Sequence, residues 1–471
     1  MGACFFLSFY FVYYFYPFIL SIMLEYFLGI FLIFGQVFEV KADELSILKE
    51  IPPNSRVIVN GGVYKGKIVI DKPLELVGRD FPVIDGQGEG HVVLVKAPCK
   101  ISGFTLKNSG ANLLSEDSGI MVENVSNVFI EGNKIEDVLF GIYLKNSRGV
   151  VIKDNFIYGK YLPLSMKGDG IRLWYSRSVT LENNTVVGVR DVVIWYSNDV
   201  IAKGNKVFHS RYGLHYMYSN GNILEGNEFI GNIVGAFVMF SQKILLRNNV
   251  FGSSKFLTGI GIGLKDASYI VITQNLIADN TIGIYLANSP EFTGEIITSD
   301  LEDSKVLEGV SYGNIIRKNV FAFNTKCMSF LPPAYPNLIS ENTFWANIFI
   351  AEYQGVFQDK NLWYSNFYDI YRGFDMNKDG YGDIPFEYSS LFLKVLADNP
   401  NLNFFYISPL KFFIDQLSLI LPFFKPDPIF VDVKPSINPN FFGWEKIKPK
   451  NRNLFAERKM KLKDYKIEFF H

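Results

Sequence analysis

The residues with the clearest capacity for chemistry fall in one short stretch. His209, His215 and Met217 lie within HSRYGLHYMYS, and Met239 follows in GAFVMFS. One imidazole between two thioethers, with a second imidazole nearby, is a soft, neutral donor set that suits Cu(I) better than a hard cation. The chain holds only four histidines and nine methionines, so two of each in one stretch is a concentration. Arg172 and Trp174 in GIRLW, Trp195 in DVVIW and Phe237 in GAFVMF belong to the same series. Tryptophans beside a soft metal would exclude water. The same stripe also reads as a packing surface for a covering loop or partner, or as a sugar-stacking platform on Trp174 and Trp195.

A different chemistry is spaced along DMNKDGYGD, where Asp375, Asn377, Asp379, Tyr381 and Asp383 present oxygens at the intervals of a calcium loop and Gly380 allows the sharp turn. The twelfth position holds Phe386 instead of a bidentate Glu, so a turn that caps the fold is the competing reading. A polysaccharide hydrolase or lyase would need close carboxylates or a basic residue beside them. The candidates, Asp169, Asp191 and Arg172, place both acids at turns on neighbouring repeats rather than on one strand, which argues against an enzyme.

The elements that position these residues repeat about every 22 residues. Gly-apolar-x-apolar begins at Gly119, Gly141, Gly170, Gly213, Gly261 and Gly283, with looser copies at Asp191 and Gly235. A second strand follows in each copy and ends on an asparagine: Asn133, Asn155, Asn184, Asn205, Asn227, Asn249 and Asn275. Short alternating strands at this period predict an all-β, right-handed parallel β-helix of about ten coils, with the asparagines stacked as a ladder. Glycine at each strand start predicts a turn of unusual φ. Parity turns the third and fifth residues of GIxLx outward, which puts Trp174, Trp195, Met217 and Met239 in one column with His215 beside it. Ordinary surface residues are expected on the outer coils.

Composition bounds the rest. The chain has 471 residues, 48% hydrophobic, with 46 basic against 47 acidic side chains, so no global field draws in nucleic acid. Cys4, Cys99 and Cys327 share no spacing that would make a disulfide scaffold, zinc ribbon or redox pair. Residues 1–40 carry no Lys or Arg and two acids, Glu25 and Glu39, which predicts an exported chain cleaved near Ala42 or held by a retained anchor. The expected organisation is a signal peptide or anchor over 1–42, a cap over 43–67 and the β-helix over 68–350, with an excursion at 291–310. A capping segment over 351–390 carries the calcium-like loop. A helical docking extension over 391–471 ends in a basic tail, and its apolar stretch at 408–424 suits a helix on the β-helix or docking on a permease or lipid interface.

GDGIRLWYS, DVVIWYSND, HSRYGLHYMYSN and GAFVMFS, in this order, resemble the NosD family of periplasmic β-helix proteins over roughly residues 43–432. That resemblance implies a non-enzymatic accessory factor for the copper centres of nitrous oxide reductase. Its implied partners are an ABC-type ATPase and permease complex, a copper-chaperone lipoprotein and the apo-reductase. Copper would be held transiently as Cu(I), membrane association would run through these partners or the N-terminal anchor, and calcium would be structural. A carbohydrate-active β-helix and a metal-free docking scaffold remain the alternatives.

Overall fold

The computed structural model describes residues 35–444 except 256–257, 288–312, 333, 335, 355–358, 399–404, 406–407, 422 and 424–425. Most of the apolar leader, the 291–310 excursion and the basic tail therefore lie outside the described residues. Three sheets of short, almost entirely parallel strands make a β-solenoid of about 14 turns. That exceeds the ten coils marked by the sequence repeat, because the first coils lack the glycine and asparagine signature and the last keep the asparagine without the glycine. Val37–Lys41, assigned by sequence to the leader, already pairs in parallel with Ser55–Asn60.

The chain forms two compact units: Met1–Leu162 with Met166–Thr185 and Asn198–Ile201, and Pro163–Ser165 with Val186–Ser197 and Ala202–His471. In the first, the GIxL sheet runs Val93–Val95, Ser118–Glu123, Phe140–Lys145 and Ile171–Trp174. In the second it runs Asp191–Trp195, Tyr212–Met217, Val234–Met239, Ile260–Lys265, Ile282–Ala287, Lys326–Leu331 and Phe349–Tyr353. The second and fourth GIxL residues fill the bore, as with Leu214, Tyr216, Ala236, Val238, Ile262 and Leu264, all buried.

The asparagine ladder forms within each unit. Asn133 Nδ2 donates to Asn155 Oδ1 at 3.0 Å, and Asn155 to Asn184 at 3.0 Å. In the second unit the relay passes from Asn205 through Asn227, Asn249, Asn275, Asn319 and Asn342 to Asn366. Each amide can pass on one donor, so the series needs a terminal acceptor. Asp432 supplies it, taking Asn366 Nδ2 at 2.9 Å together with Asn366 N, Ser365 N and Tyr368 OH. A parallel ladder, Asn314–Asn337–Asn361, likewise ends on Asp359. Buried polar groups need partners, and these ladders satisfy them coil by coil.

The repeat glycines have a different cause from the one expected. None of Gly213, Gly235 and Gly261 has a positive φ, but a Cβ on each would lie 2.4–2.7 Å from the carbonyl oxygen of the next glycine in the column. Close approach of coils, rather than turn conformation, requires glycine there.

At the C-terminal end, Phe386–Tyr388 and Phe430–Asp432 pair antiparallel, and rings of Trp363, Phe430, Tyr368 and Phe386 stack beneath them. Two helices, Leu391–Asp398 and Pro409–Ile420, pack on Phe349 through Phe392, Leu396 and Ile414. Asp415 joins them by accepting from Ser390 Oγ and Phe392 N. The far side of the second helix leaves Phe412, Phe413 and Ile420 60–72% exposed. Among the described residues no helix is long and apolar enough to cross a membrane.

Candidate functional site

Register puts the predicted column together in the second unit. Trp195 pairs with Met217, Met217 with Met239 and Met239 with Lys265, while Val193, His215, Phe237 and Gly263 form the adjacent row. Trp195, Met217, Phe237 and Met239 are partly exposed, whereas His215 is only 6% exposed. Its imidazole meets Trp195 edge-on at 5.2 Å between centroids and 87°, and Tyr212 at 4.9 Å and 78°. Phe237 lies against Tyr212 at 5.7 Å and covers Gly263, where a Cβ would sit 2.0 Å from its ring. The glycine in GIGL thus makes room for the ring beside His215.

Both ring nitrogens of His215 are buried and have no hydrogen-bond partner. The nearest charge is Asp191 Oδ2, 3.9 Å from Nδ1, too long for a hydrogen bond. Asp191 is turned instead to Arg211, whose Nε donates to Oδ1 at 2.9 Å and whose Nη2 donates to Oδ2. Tyr212 N also donates to Oδ1, and Arg190 Nε stands 3.9 Å from Oδ2. Burial raises the Asp191 pKa, but the His215 and Arg211 contacts outweigh it, and the carboxyl stays below its usual range. A buried imidazole with both nitrogens unbonded costs about 1–3 kcal/mol per orphaned group, unless a ligand supplies the missing bond. Imidazole and thioether are chemically suited to receive a soft cation.

His209 precedes the strand that carries His215 and Met217. It occupies the exposed turn before the strand at φ 53°, with its ring 3.3–3.5 Å from where a Gly231 Cβ would lie. Among the described residues the thiols offer no competing soft site: Cys99 and Cys327 are buried, and burial pushes Cys99 up to about 12.

Arg172 and Trp174 belong to the first unit, in a closed box. The Arg172 guanidinium lies 5.1–5.5 Å from the rings of Phe140, Tyr143 and Trp174. Its Nη1 is 3.7 Å from Asp169 and 3.8 Å from Glu116. Tyr143 OH donates to Glu116 at 3.2 Å. Met121 and Tyr143, expected at the surface, are 5% and 2% exposed. Parity still turns them outward, but the outer face of that sheet is covered, and the Glu116 segment contributes to the cover.

One feature escaped sequence reasoning. After each strand the chain turns through a left-handed residue, which is Asn124, Asn146 and Asp266 in flanking coils but Tyr175, Tyr196, Tyr218 and Phe240 in the middle four, at φ 48–51°. Aromatic residues seldom adopt this conformation. Tyr196, Tyr218 and Phe240 stack at 5.0–5.1 Å with planes within 13°. The signal was present as WYS, WYS, MYS and MFS, where neighbouring repeats carry Asn or Asp.

The calcium-like loop is folded on its own backbone. Asp375 accepts from Asp379 N and Gly380 N, Asn377 from Asp379 N, Asp379 from Tyr381 N and Asp383 from Met376 N. Lys434 Nζ stands 3.5 Å from Asp379 and 4.1 Å from the centroid of the Tyr381 ring.

Fold and site together define a parallel β-helix protein that displays a soft-donor and aromatic face on one sheet. A family profile described as "Periplasmic copper-binding protein (NosD)" matches residues 155–373. A Pseudomonas aeruginosa protein named "Probable ABC transporter binding protein NosD" is 33% identical over 347 residues, 69% of this chain and 75% of the relative. The chain belongs to the NosD family. A Stutzerimonas stutzeri protein of the same name is 29% identical over 133 residues, covering 28% of this chain and 30% of that one. Among solved structures, the A-module of the Azotobacter vinelandii mannuronan C-5 epimerase AlgE6 shares the fold. Its TM-score is 0.54 at 14% identity, over 68% of this chain and 92% of that one.

Proposed function

We propose that this protein is an exported, non-enzymatic accessory factor that holds Cu(I) transiently on its way to apo nitrous oxide reductase, in association with an ABC-type membrane complex. The observation that carries this reading is His215: a buried imidazole with both nitrogens unbonded, in the row beside Met217 and Met239. A resident structural histidine would be hydrogen-bonded, whereas a site waiting for cargo leaves its donor open. Met217 and Met239 supply the thioethers, and His209, in the exposed turn, serves as an auxiliary donor during transfer. Partial exposure of the methionines suits handover from a copper-chaperone lipoprotein and onward to the reductase.

The absence of enzymatic activity is supported by the fate of the candidate acids. Asp169 faces Arg172 and Asp191 faces Arg211, so each carboxylate is neutralised by a guanidinium and poorly placed as a general acid or base. The exposed apolar side of Pro409–Ile420 supports docking on the membrane complex. Calcium is proposed as a structural ion of the 375–383 loop, with Lys434 as its competitor for Asp379.

Titration of the protein with Cu(I) against a chelator tests the reading. Wild type should withhold copper, and His215→Ala/Met217→Ala should release it. Equal competition by the two proteins would overturn the assignment. Cleavage of acidic polysaccharides would instead establish the carbohydrate-active alternative.

A further inference from the structure

We propose that the outward face of the helix Pro409–Ile420 lies in the interface of an anionic phospholipid bilayer, with the basic residues after the solenoid on the headgroups. This rests on the membrane association proposed above, names lipid as what the helix meets, and is independent of the copper site.

The helix is the reverse of an ordinary surface helix, which turns its charges to water and its apolar stripe to the core. PLKFFIDQLSLI holds two charged residues, and both face the protein. Lys411 and Asp415 pair at 3.3 Å, with side chains only 22% and 20% exposed. Lys411 Nζ also lies 4.8 Å from the centroid of the Phe349 ring, and Asp415 accepts from Ser390 Oγ and Phe392 N. The opposite arc carries Phe412, Phe413, Gln416 and Ile420, with no charge among them. Its two phenylalanines and its isoleucine are the 60–72% exposed residues noted above. An arc of this composition gains free energy on leaving water for the boundary between headgroups and acyl chains.

Charge selects the kind of surface. Residues 446–466 hold nine Lys and Arg against two acids, a net +7 in a chain whose overall charge is −1. The segment leading into them is fixed close to the helix: Asn440 N donates to Thr343 Oγ1 at 3.1 Å, and Phe441 lies against Trp345 at 5.7 Å. Ile348 and Phe349, on which the helix packs, follow on the same coil. The apolar arc and the approach to the basic run are thus both tethered to residues 343–349. An interfacial apolar face beside a run of basic residues is the combination that anionic lipid binds.

The test places a polarity-sensitive fluorophore at position 413, through Phe413→Cys in a Cys4→Ser background of the full chain, where Cys99 and Cys327 are buried. Its emission should shift to the blue on mixed phosphatidylcholine–phosphatidylglycerol vesicles. The same shift should need about tenfold more lipid when the vesicles are phosphatidylcholine alone, or when the chain carries Arg458→Gln/Lys459→Gln/Lys461→Gln/Lys463→Gln. The fluorophore at Lys203→Cys, exposed on another sheet, should not shift. Because the label reports its own surroundings, anchoring through residues 1–40 does not imitate the result. If Phe413→Cys disturbs the circular dichroism of the solenoid, Phe412→Cys is read in its place. An equal shift at positions 203 and 413, or one indifferent to lipid charge and to the basic residues, would overturn the proposal. So would an unshifted label on mixed vesicles; protection of that label by the detergent-solubilised ABC-type complex would then assign the face to protein and leave the docking reading standing.

Discussion

The Asp191 carboxylate stands 3.9 Å from Nδ1 of His215 yet bonds to Arg211, so the imidazole has a negative neighbour without a hydrogen bond to it. This orients the field at the site without consuming a ring nitrogen. The pair sits where the strand Asp191–Trp195 shifts register between Asp191 and Val193, and Tyr212 N of the next coil also donates to the carboxylate.

Because the Asp191 pKa is depressed by folding, its contribution to stability is present above the unfolded value near 3.9 and is lost as pH falls through the lower folded value. Thermal unfolding of wild type and Asp191→Asn between pH 2.5 and 7 should therefore diverge most above about pH 4 and converge below it. A constant stability gap across the whole pH range would contradict the carboxylate's assigned role.

The ladder termini should be energetically important. Asp432→Ala leaves Asn366 Nδ2, Tyr368 OH and backbone donors buried without an acceptor, and should cost about 2–4 kcal/mol. Denaturant unfolding monitored by circular dichroism measures it. A half-exposed acid such as Glu131 in the first unit, replaced by Ala, should cost under about 1 kcal/mol, since its partner Lys100 is half-exposed as well. Equal losses in the two variants would mean that Asp432 does not terminate the ladder energetically.

Phe237 and Gly263 are predicted to be coupled. Gly263→Ala forces a methyl into the Phe237 ring and should destabilise by about 1–3 kcal/mol. The double variant Phe237→Ala/Gly263→Ala should be less destabilised than the sum of the single changes, because the ring that clashes is gone. A double-mutant cycle in urea reads the interaction directly, and additivity would show that the ring does not rest on Gly263 in solution.

These relationships differ in how far they could be read from the chain. The Asn133, Asn155 and Asn184 series and the Trp195–Met217–Met239 column were legible because each rests on strand parity and a fixed repeat, both local properties. The repeat glycines were legible as positions but not in cause, since close approach to the next coil's carbonyl is a property of stacking. Asp432 was hidden because it meets a ladder 66 residues upstream. Arg211 was hidden because it reaches Asp191 from 20 residues on, in the turn before the next coil, a contact that strand parity does not reveal.

The left-handed aromatic ladder yields the last prediction. Tyr218 holds a conformation that its flanking equivalents give to Asn or Asp, at a cost of order 1 kcal/mol or more, and it recovers part of this by stacking on Tyr196 and Phe240. Tyr218→Asn relieves the backbone while losing the stacking, so the two effects offset and the unfolding midpoint should move little. Tyr218 is 42% exposed and directly follows Met217, so the ladder borders the proposed copper site. If this surface meets the partners proposed above, pull-down of the ABC-type complex or the apo-reductase with Tyr218→Asn should weaken by about tenfold, as expected for a tyrosine in an interface hot spot, while Cu(I) affinity stays near wild type. A variant that binds those partners as wild type does, but unfolds much earlier, would reassign the ladder to packing.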